Sequence, residues 1–177
     1  MKQNKYDDDV FFNKYSNMSR SKNGLEGAGE WHELKNMLPD FRNKRVLDLG
    51  CGFGWHCRYA AENGARLVVG IDISQKMLSV AKSKTQYENI KYIRMAIEDI
   101  DFPEESFDVV ISSLALHYVE SFEDVLARVY KCLSKGGDFV FSVEHPIFTA
   151  QGPQDWYYDD KGNILHWPVD HYFTEGI

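Results

Sequence analysis

The chain has 177 residues, 44% hydrophobic and 27% charged, with a net charge of −7. This suits one soluble globular domain with a full core, and no apolar run approaches membrane-spanning length. An acidic balance without a clustered Lys/Arg stripe argues against a nucleic-acid substrate. The first nine residues carry no signal-peptide core. Cys51, Cys57 and Cys132 form an odd set without C-x-x-C spacing, as expected of free thiols in a reducing cytoplasm. Cys51 lies inside a glycine turn with no evident base beside it, so it reads as a small filler rather than a nucleophile.

Residues 7–15 open with three aspartates and continue Val-Phe-Phe-Asn-Lys-Tyr, so a helix is expected with acids in its first turn. Residues 16–29 are polar and glycine-punctuated, the pattern of a mobile loop. Trp31, Leu34, Met37 and Leu38 recur at helical spacing until Pro39 stops the helix.

Val46, Leu47 and Leu49 then form a short apolar run, the signature of a buried parallel strand. Gly50, Gly52 and Gly54 follow, with a helical stretch over 55–63. Strand, glycine turn, helix is the layout of a nucleotide-binding loop. A dinucleotide fingerprint would need its third glycine at the position of Trp55, whose indole is too large for close helix packing. A P-loop would need Lys and Ser or Thr after its glycines, and neither follows Gly54. What remains is acid-x-Gly-x-Gly-x-Gly, led by Asp48, although a turn that only connects two elements stays open. This pattern resembles motif I of the class I S-adenosylmethionine-dependent methyltransferases, of the type 11-like group.

Downstream spacing agrees with that resemblance. Gly64 caps the helix, and a second strand over 67–72 ends at Asp72, 22 residues after Gly50. An acidic side chain there accepts hydrogen bonds from ribose hydroxyls. Ser74 caps a helix expected at 75–85, and a third strand is expected at 90–97. Residues 98–108, Glu-Asp-Ile-Asp-Phe-Pro-Glu-Glu-Ser-Phe-Asp, resemble the family's segment E-D-x-x-F-P-x-x-S-F-D. A fourth strand at 107–113, a helix at 121–133 and a fifth strand at 138–143 complete the alternation. The expected fold class is α/β: a Rossmann-like three-layer sandwich with a mostly parallel sheet of order 3-2-1-4-5. It carries an N-terminal helical arm and an aromatic C-terminal hairpin turning at Asp160-Lys161-Gly162-Asn163. Residues 1–39 are the arm, 40–145 the core and 146–177 a substrate-side segment rich in aromatics, among them Trp156, Tyr157, Tyr158, Trp167 and Phe173.

The resemblance implies S-adenosylmethionine as cofactor and S-adenosylhomocysteine as product. It implies a cofactor site of Asp48, Gly50, Gly52, Gly54, Asp72, Ile73, Met77, Ile97, Glu98 and Ser112, with Tyr15 and Trp31 as lid candidates on the arm. Ala96 stands where many relatives carry an Asp toward the adenine, so adenine recognition is expected from the Ile97 backbone and Glu98. Methyl transfer from a sulfonium needs positioning more than a nucleophilic residue. His117 and His145 could serve as a base, with a backbone-bonded structural histidine as the alternative for each. The histidines show no metal-ligand spacing, His166 and His171 included. The expected reaction is methyl transfer to a small-molecule acceptor. The rival readings are a non-catalytic module holding the same cofactor or its product, and a nicotinamide oxidoreductase. The family's closing antiparallel strands have no counterpart before Ile177, so the chain is expected to lack them, and an uncovered fifth strand could pair two copies into a homodimer.

Overall fold

The computed structural model describes residues 4–148, 150, 155–170 and 172. The chain divides into two compact units, Met1–Ser142 and Val143–Ile177, so the arm and the sheet share one unit. The expected His171 and Phe173 lie outside the described residues.

In the first unit, short helices α1 (Asp9–Ser16), α2 (Ser19–Asn23) and α3 (Trp31–Met37) precede the sheet. Strands β1 (Arg45–Leu49), β2 (Leu67–Asp72), β3 (Ile90–Arg94), β4 (Phe107–Ser113) and β5 (Leu133–Ser142) alternate with α4 (Trp55–Glu62), α5 (Gln75–Lys84) and α6 (Phe122–Cys132). All four pairings are parallel, and the order is β3-β2-β1-β4-β5, as expected. The period-two alternation of strands sorts the core into two faces. Val46, Val68, Val109 and Ile111 pack with Cys57 and Ala60 of α4 and Leu78 of α5. Leu47, Leu49, Ile71 and Val110 pack with Val125 and Val129 of α6. Each such buried aliphatic contributes about 1.5–3 kcal/mol relative to exposure, so both faces of the sheet must stay covered.

Several boundaries differ from the sequence reading. The polar stretch after residue 16 is not a loose loop: it forms α2 and a 3-10 turn, Gly24–Gly27. Burial of Ser21 and the packing of Leu25 and Ala28 against Trp31 and Leu34 hold it in place. Helix α6 ends at Cys132, because Leu133 already pairs with Phe107; residues 134–137 then bulge out before Asp138 rejoins opposite Val109. Strand β3 stops at Arg94, and the chain turns into a 3-10 segment, Ile97–Asp99.

The start of the sheet is tied by charge. Arg45 Nε and Nη2 donate to the two oxygens of Asp108 at 3.1 and 2.7 Å, and Ser134 Oγ donates to Asp108 at 3.1 Å. In the second unit, β6 (Tyr157–Tyr158) and β7 (Ile164–His166) form an antiparallel pair around Gly162, the expected hairpin. Trp167 packs edge-on against Trp156 and Phe148.

Candidate functional site

Because β1 has β2 on one side and β4 on the other, the β1/β4 boundary is the topological switch point of the sheet, where folds of this kind hold a ligand crevice at the carboxyl ends of the strands. The glycine loop forms one lip. Gly50 N–H and Cys51 N–H both reach the Ile71 carbonyl at 2.9 Å, and Gly54 N–H reaches the Cys51 carbonyl at 2.8 Å. At Gly50, φ is +73°, and a Cβ would stand 2.5 Å from the Ala115 side chain across the crevice. Ala115 is brought there by Leu114, a non-glycine residue at φ +50° whose N–H bonds the Ser142 carbonyl. At Gly52, φ is +51° and nothing lies within 4 Å of a Cβ position. Bare backbone thus faces open space there, as a ligand pressed against the chain would require.

Two carboxylates flank the loop. Asp72, at the end of β2, accepts from Gly52 N–H at 2.9 Å through Oδ2 and from Ser74 N–H at 2.8 Å through Oδ1. Burial raises its pKa, and those two N–H groups oppose the rise. Asp48 is 1% exposed. Its Oδ2 accepts from Cys57 Sγ at 3.1 Å, while its Oδ1 is buried without a partner. Burial pushes this carboxyl up to about 7 against the Cys57 contact, with Asp72 adding to the rise. Cys51 is likewise pushed up to about 11 by burial, and burial also raises Cys57 of α4, so neither thiol is an activated nucleophile.

The other expected residues take distinct places. Ser112 is fully buried and donates to the Leu49 carbonyl at 3.1 Å, stitching β4 to β1. Ile73 offers its carbonyl to Arg94 Nε. Met77 is core at 2% exposure, its N–H capped by Ser74. Ile97 is buried, with its side chain near Gly50, and Glu98 is half-buried on the 3-10 segment. His117 is exposed on the 3-10 turn after β4, beside Tyr118. His145 belongs to the second unit, where its Nδ1 accepts from Ile147 N–H at 3.2 Å.

The arm separates the two lid candidates. Tyr15 is half-buried and meets Phe53 of the glycine loop edge-on, ring centroids 5.7 Å apart. Trp31 is a correction: it is 5% exposed and packs on Tyr59 of α4 and Leu34, so it is a core residue rather than a lid. Asp7 is a second correction. It lies before α1, whose N-cap is Asp8, and its carboxylate instead reaches the start of α5.

Sequence reasoning missed several polar residues of this region. Arg20 donates to Glu30, which also accepts from Ser113 Oγ at 3.3 Å at the end of β4. His56, at the start of α4, is pushed down to about 4 by burial, with Glu30 opposing, so its imidazole is neutral at pH 7. Nothing local in the sequence pairs Arg20, Glu30, His56 and Ser113; only the topology does. Among the described residues no cluster of His, Cys, Asp and Glu could hold a metal ion, and no helix is long and apolar enough to cross a membrane.

Comparison with known proteins agrees with this geometry. Residues 47–141 match the family model described as "Methyltransferase domain". A crystal structure from Listeria monocytogenes, of a protein assigned as an S-adenosylmethionine dependent methyltransferase, superposes with a TM-score of 0.76 at 62% identity, over 82% of this chain and 68% of that one. The S-adenosylmethionine dependent methyltransferase from Mesorhizobium loti gives 0.77 at 47% identity, over 86% of this chain and 69% of that one. Malonyl-[acyl-carrier protein] O-methyltransferase from Enterobacter lignolyticus is 36% identical over 62% of this chain. The chain spans only 43% of that relative's length. A relative from Histophilus somni, 33% identical, is named tRNA U34 carboxymethyltransferase.

Two outcomes test this geometry without any ligand. Gly52→Ala should cost about 1 kcal/mol in urea unfolding, from the left-handed backbone alone. Gly50→Ala should cost about 2–4 kcal/mol, because Ala115 must also move; equal costs would contradict the close approach. The Asp48 carboxyl, at about 7 when folded and about 3.9 when unfolded, holds a proton in the folded state that the unfolded chain has released. Its contribution to stability is therefore full below about pH 4 and is lost as pH rises to about 7. Calorimetric Tm values for Asp48→Asn should exceed the parent's by more at pH 8 than at pH 5.

Proposed function

The chain belongs to the methyltransferase-domain family and is an S-adenosylmethionine-dependent methyltransferase; from that premise we propose that it methylates a small-molecule acceptor held at the β1/β4 crevice. Two observations carry the site assignment: bare backbone at Gly52, bonded to the Asp72 carboxylate, and a buried carboxylate oxygen of Asp48 with no partner, at the end of the same strand. An unpartnered buried acceptor is costly, and the cationic amino group of the cofactor's amino acid end has the chemistry to satisfy it. Asp72 spends one lone pair of each oxygen on Gly52 and Ser74. Each oxygen keeps a second lone pair, enough to accept from two ribose hydroxyls. The Asp72–Gly52 bond then sets the spacing between the ribose carboxylate and the loop. The Ile97 backbone and Glu98, after β3, are assigned to the adenine, with Ile73 beside Asp72.

When bound, the cofactor supplies a methyl group already activated on a sulfonium, whose departure leaves a neutral thioether, S-adenosylhomocysteine. The protein's part is to align the acceptor and exclude water, a contribution on the order of several kcal/mol. Ser112 holds the two lips in register through Leu49. His117, on the lip after β4, is assigned the acceptor's proton where that acceptor is a hydroxyl or a protonated amine; His145 is assigned no role. A small-molecule acceptor fits the net charge of −7, and the three buried free thiols fit a reducing cytoplasm.

Titration calorimetry of the full chain with S-adenosylmethionine and with NAD tests the cofactor. S-adenosylmethionine should bind and NAD should not, and Asp72→Ala should weaken S-adenosylmethionine binding at least about tenfold. Undiminished binding by the variant would remove the assignment of Asp72. Transfer of labelled methyl groups to metabolite fractions, run beside tRNA, tests the acceptor class; label in tRNA alone would overturn the small-molecule reading. Label in neither, from a chain that binds cofactor, would favour a non-catalytic module.

A further inference from the structure

The segment before and within α1 touches each of the three loops that ring the crevice. On the β2 side, Asp7 Oδ1 accepts from Ser74 Oγ at 2.6 Å and from Lys76 N–H at 3.1 Å, and Oδ2 accepts from Gln75 N–H at 3.4 Å. Arg94 Nη2 stands 3.5 Å from the same carboxylate. On the β1 side, Phe12 and Tyr15 meet Phe53 of the glycine loop at 6.0 and 5.7 Å. On the β4 side, the Tyr6 hydroxyl lies 3.3 Å from that of Tyr118. The rings of Tyr6, Phe11 and Tyr15 pack edge-to-face within 5.2 Å of one another through Tyr6. Residues 6 and 7 therefore join the lip after β4 to the start of α5, one residue to each.

We propose that Asp7 is a latch: its seat on the start of α5 holds residues 5–16 across the crevice, and its release governs how fast an adenosyl ligand leaves. The proposal rests on the cofactor reading above. Three features distinguish a latch from an ordinary structural cap. Helix α5 already has its own cap, Ser74 Oγ accepting from Met77 N–H, so α5 does not need Asp7 to form. The N–H groups of Gln75 and Lys76 belong to the exposed first turn and are hydrated once Asp7 leaves, so opening is a local event. The bonds are nonetheless charge-assisted and aligned with the helix dipole, and they hold the Asp7 carboxyl down at about 2, against burial, so the latch stays charged at physiological pH. The neighbouring ion pair, Lys76 to Asp9, is a different case: the Asp9 side chain is 91% exposed, and such pairs contribute little.

The test is release of S-adenosylhomocysteine from the full chain, followed by stopped-flow tryptophan fluorescence, beside limited trypsin cleavage of the ligand-free arm at Lys5 and Lys14. In Asp7→Asn the release rate should rise about tenfold and the arm should be cut faster, while core digestion and Tm stay near the parent's. Asp9→Asn should release within about twofold of the parent, as expected for an exposed pair. Asp7→Glu, which keeps the charge, should recover slow release, and it serves as the comparison should Asp7→Asn fold poorly. Release in Asp7→Asn within about twofold of the parent, or an arm cut no faster, overturns the latch. A parent that binds no adenosyl ligand would instead remove the cofactor reading, and the cleavage comparison would still judge the latch.

Discussion

The hydrogen bond from Gly52 N–H to Asp72 fixes where bare backbone stands relative to a carboxylate, and the rest of the site follows from that spacing. It joins the turn after β1 to the end of β2, 20 residues apart. For it to form, β1 and β2 must lie side by side in register, as Leu49 and Ile71 do. The turn must also pass close to Ala115 on the opposite lip, which a side chain at Gly50 would prevent. The parallel sheet, the glycines and the acid at the end of β2 are therefore one device rather than three motifs.

Burial gives that device its electrostatics. Asp48 is buried with Cys57 as its hydrogen-bond donor and the Asp72 charge adding to the rise, which favours its protonated form. Asp72 is held by two backbone donors that oppose its desolvation. Two acids 24 positions apart thus have different characters, one short of partners and one well supplied. A ligand carrying an ammonium at one end and ribose hydroxyls further along matches that difference; a pyrophosphate, with negative charge to place beside both, does not. The arm meets the loops of this region through the rings of Tyr6, Phe12 and Tyr15 and through the Asp7 carboxylate.

Much of the fold was legible because each strand is a short apolar run and two of the breaks carry their own chemistry: Gly64 after α4 and Ser74 before α5. Asp48, Gly50, Gly52 and Asp72 could be read because their spacing is set within one β-α-β unit. What stayed hidden depends on contacts between distant residues. Asp7 and Ser74 are 67 positions apart, and an acid near a helix start reads locally as that helix's own cap. Residues 16–29 look like a loop by composition, yet burial against Trp31 and Leu34 orders them. Trp31 itself, an aromatic on an arm, cannot be told from a lid residue until Tyr59 is seen against it. The early start of β5 was masked by two glycines that bulge from the ladder instead of ending a helix.

Proton release on cofactor binding tests the central claim most directly. With its carboxyl at about 7, Asp48 is largely protonated at pH 6, and the proposed role, holding the cofactor's ammonium, requires it to ionise. Calorimetry at pH 6, in buffers of different ionisation enthalpy, should show close to one proton released per S-adenosylmethionine bound; the release should fade above about pH 8 and be absent in Asp48→Asn. Binding at pH 6 with no proton released would contradict the account of how this loop grips its ligand.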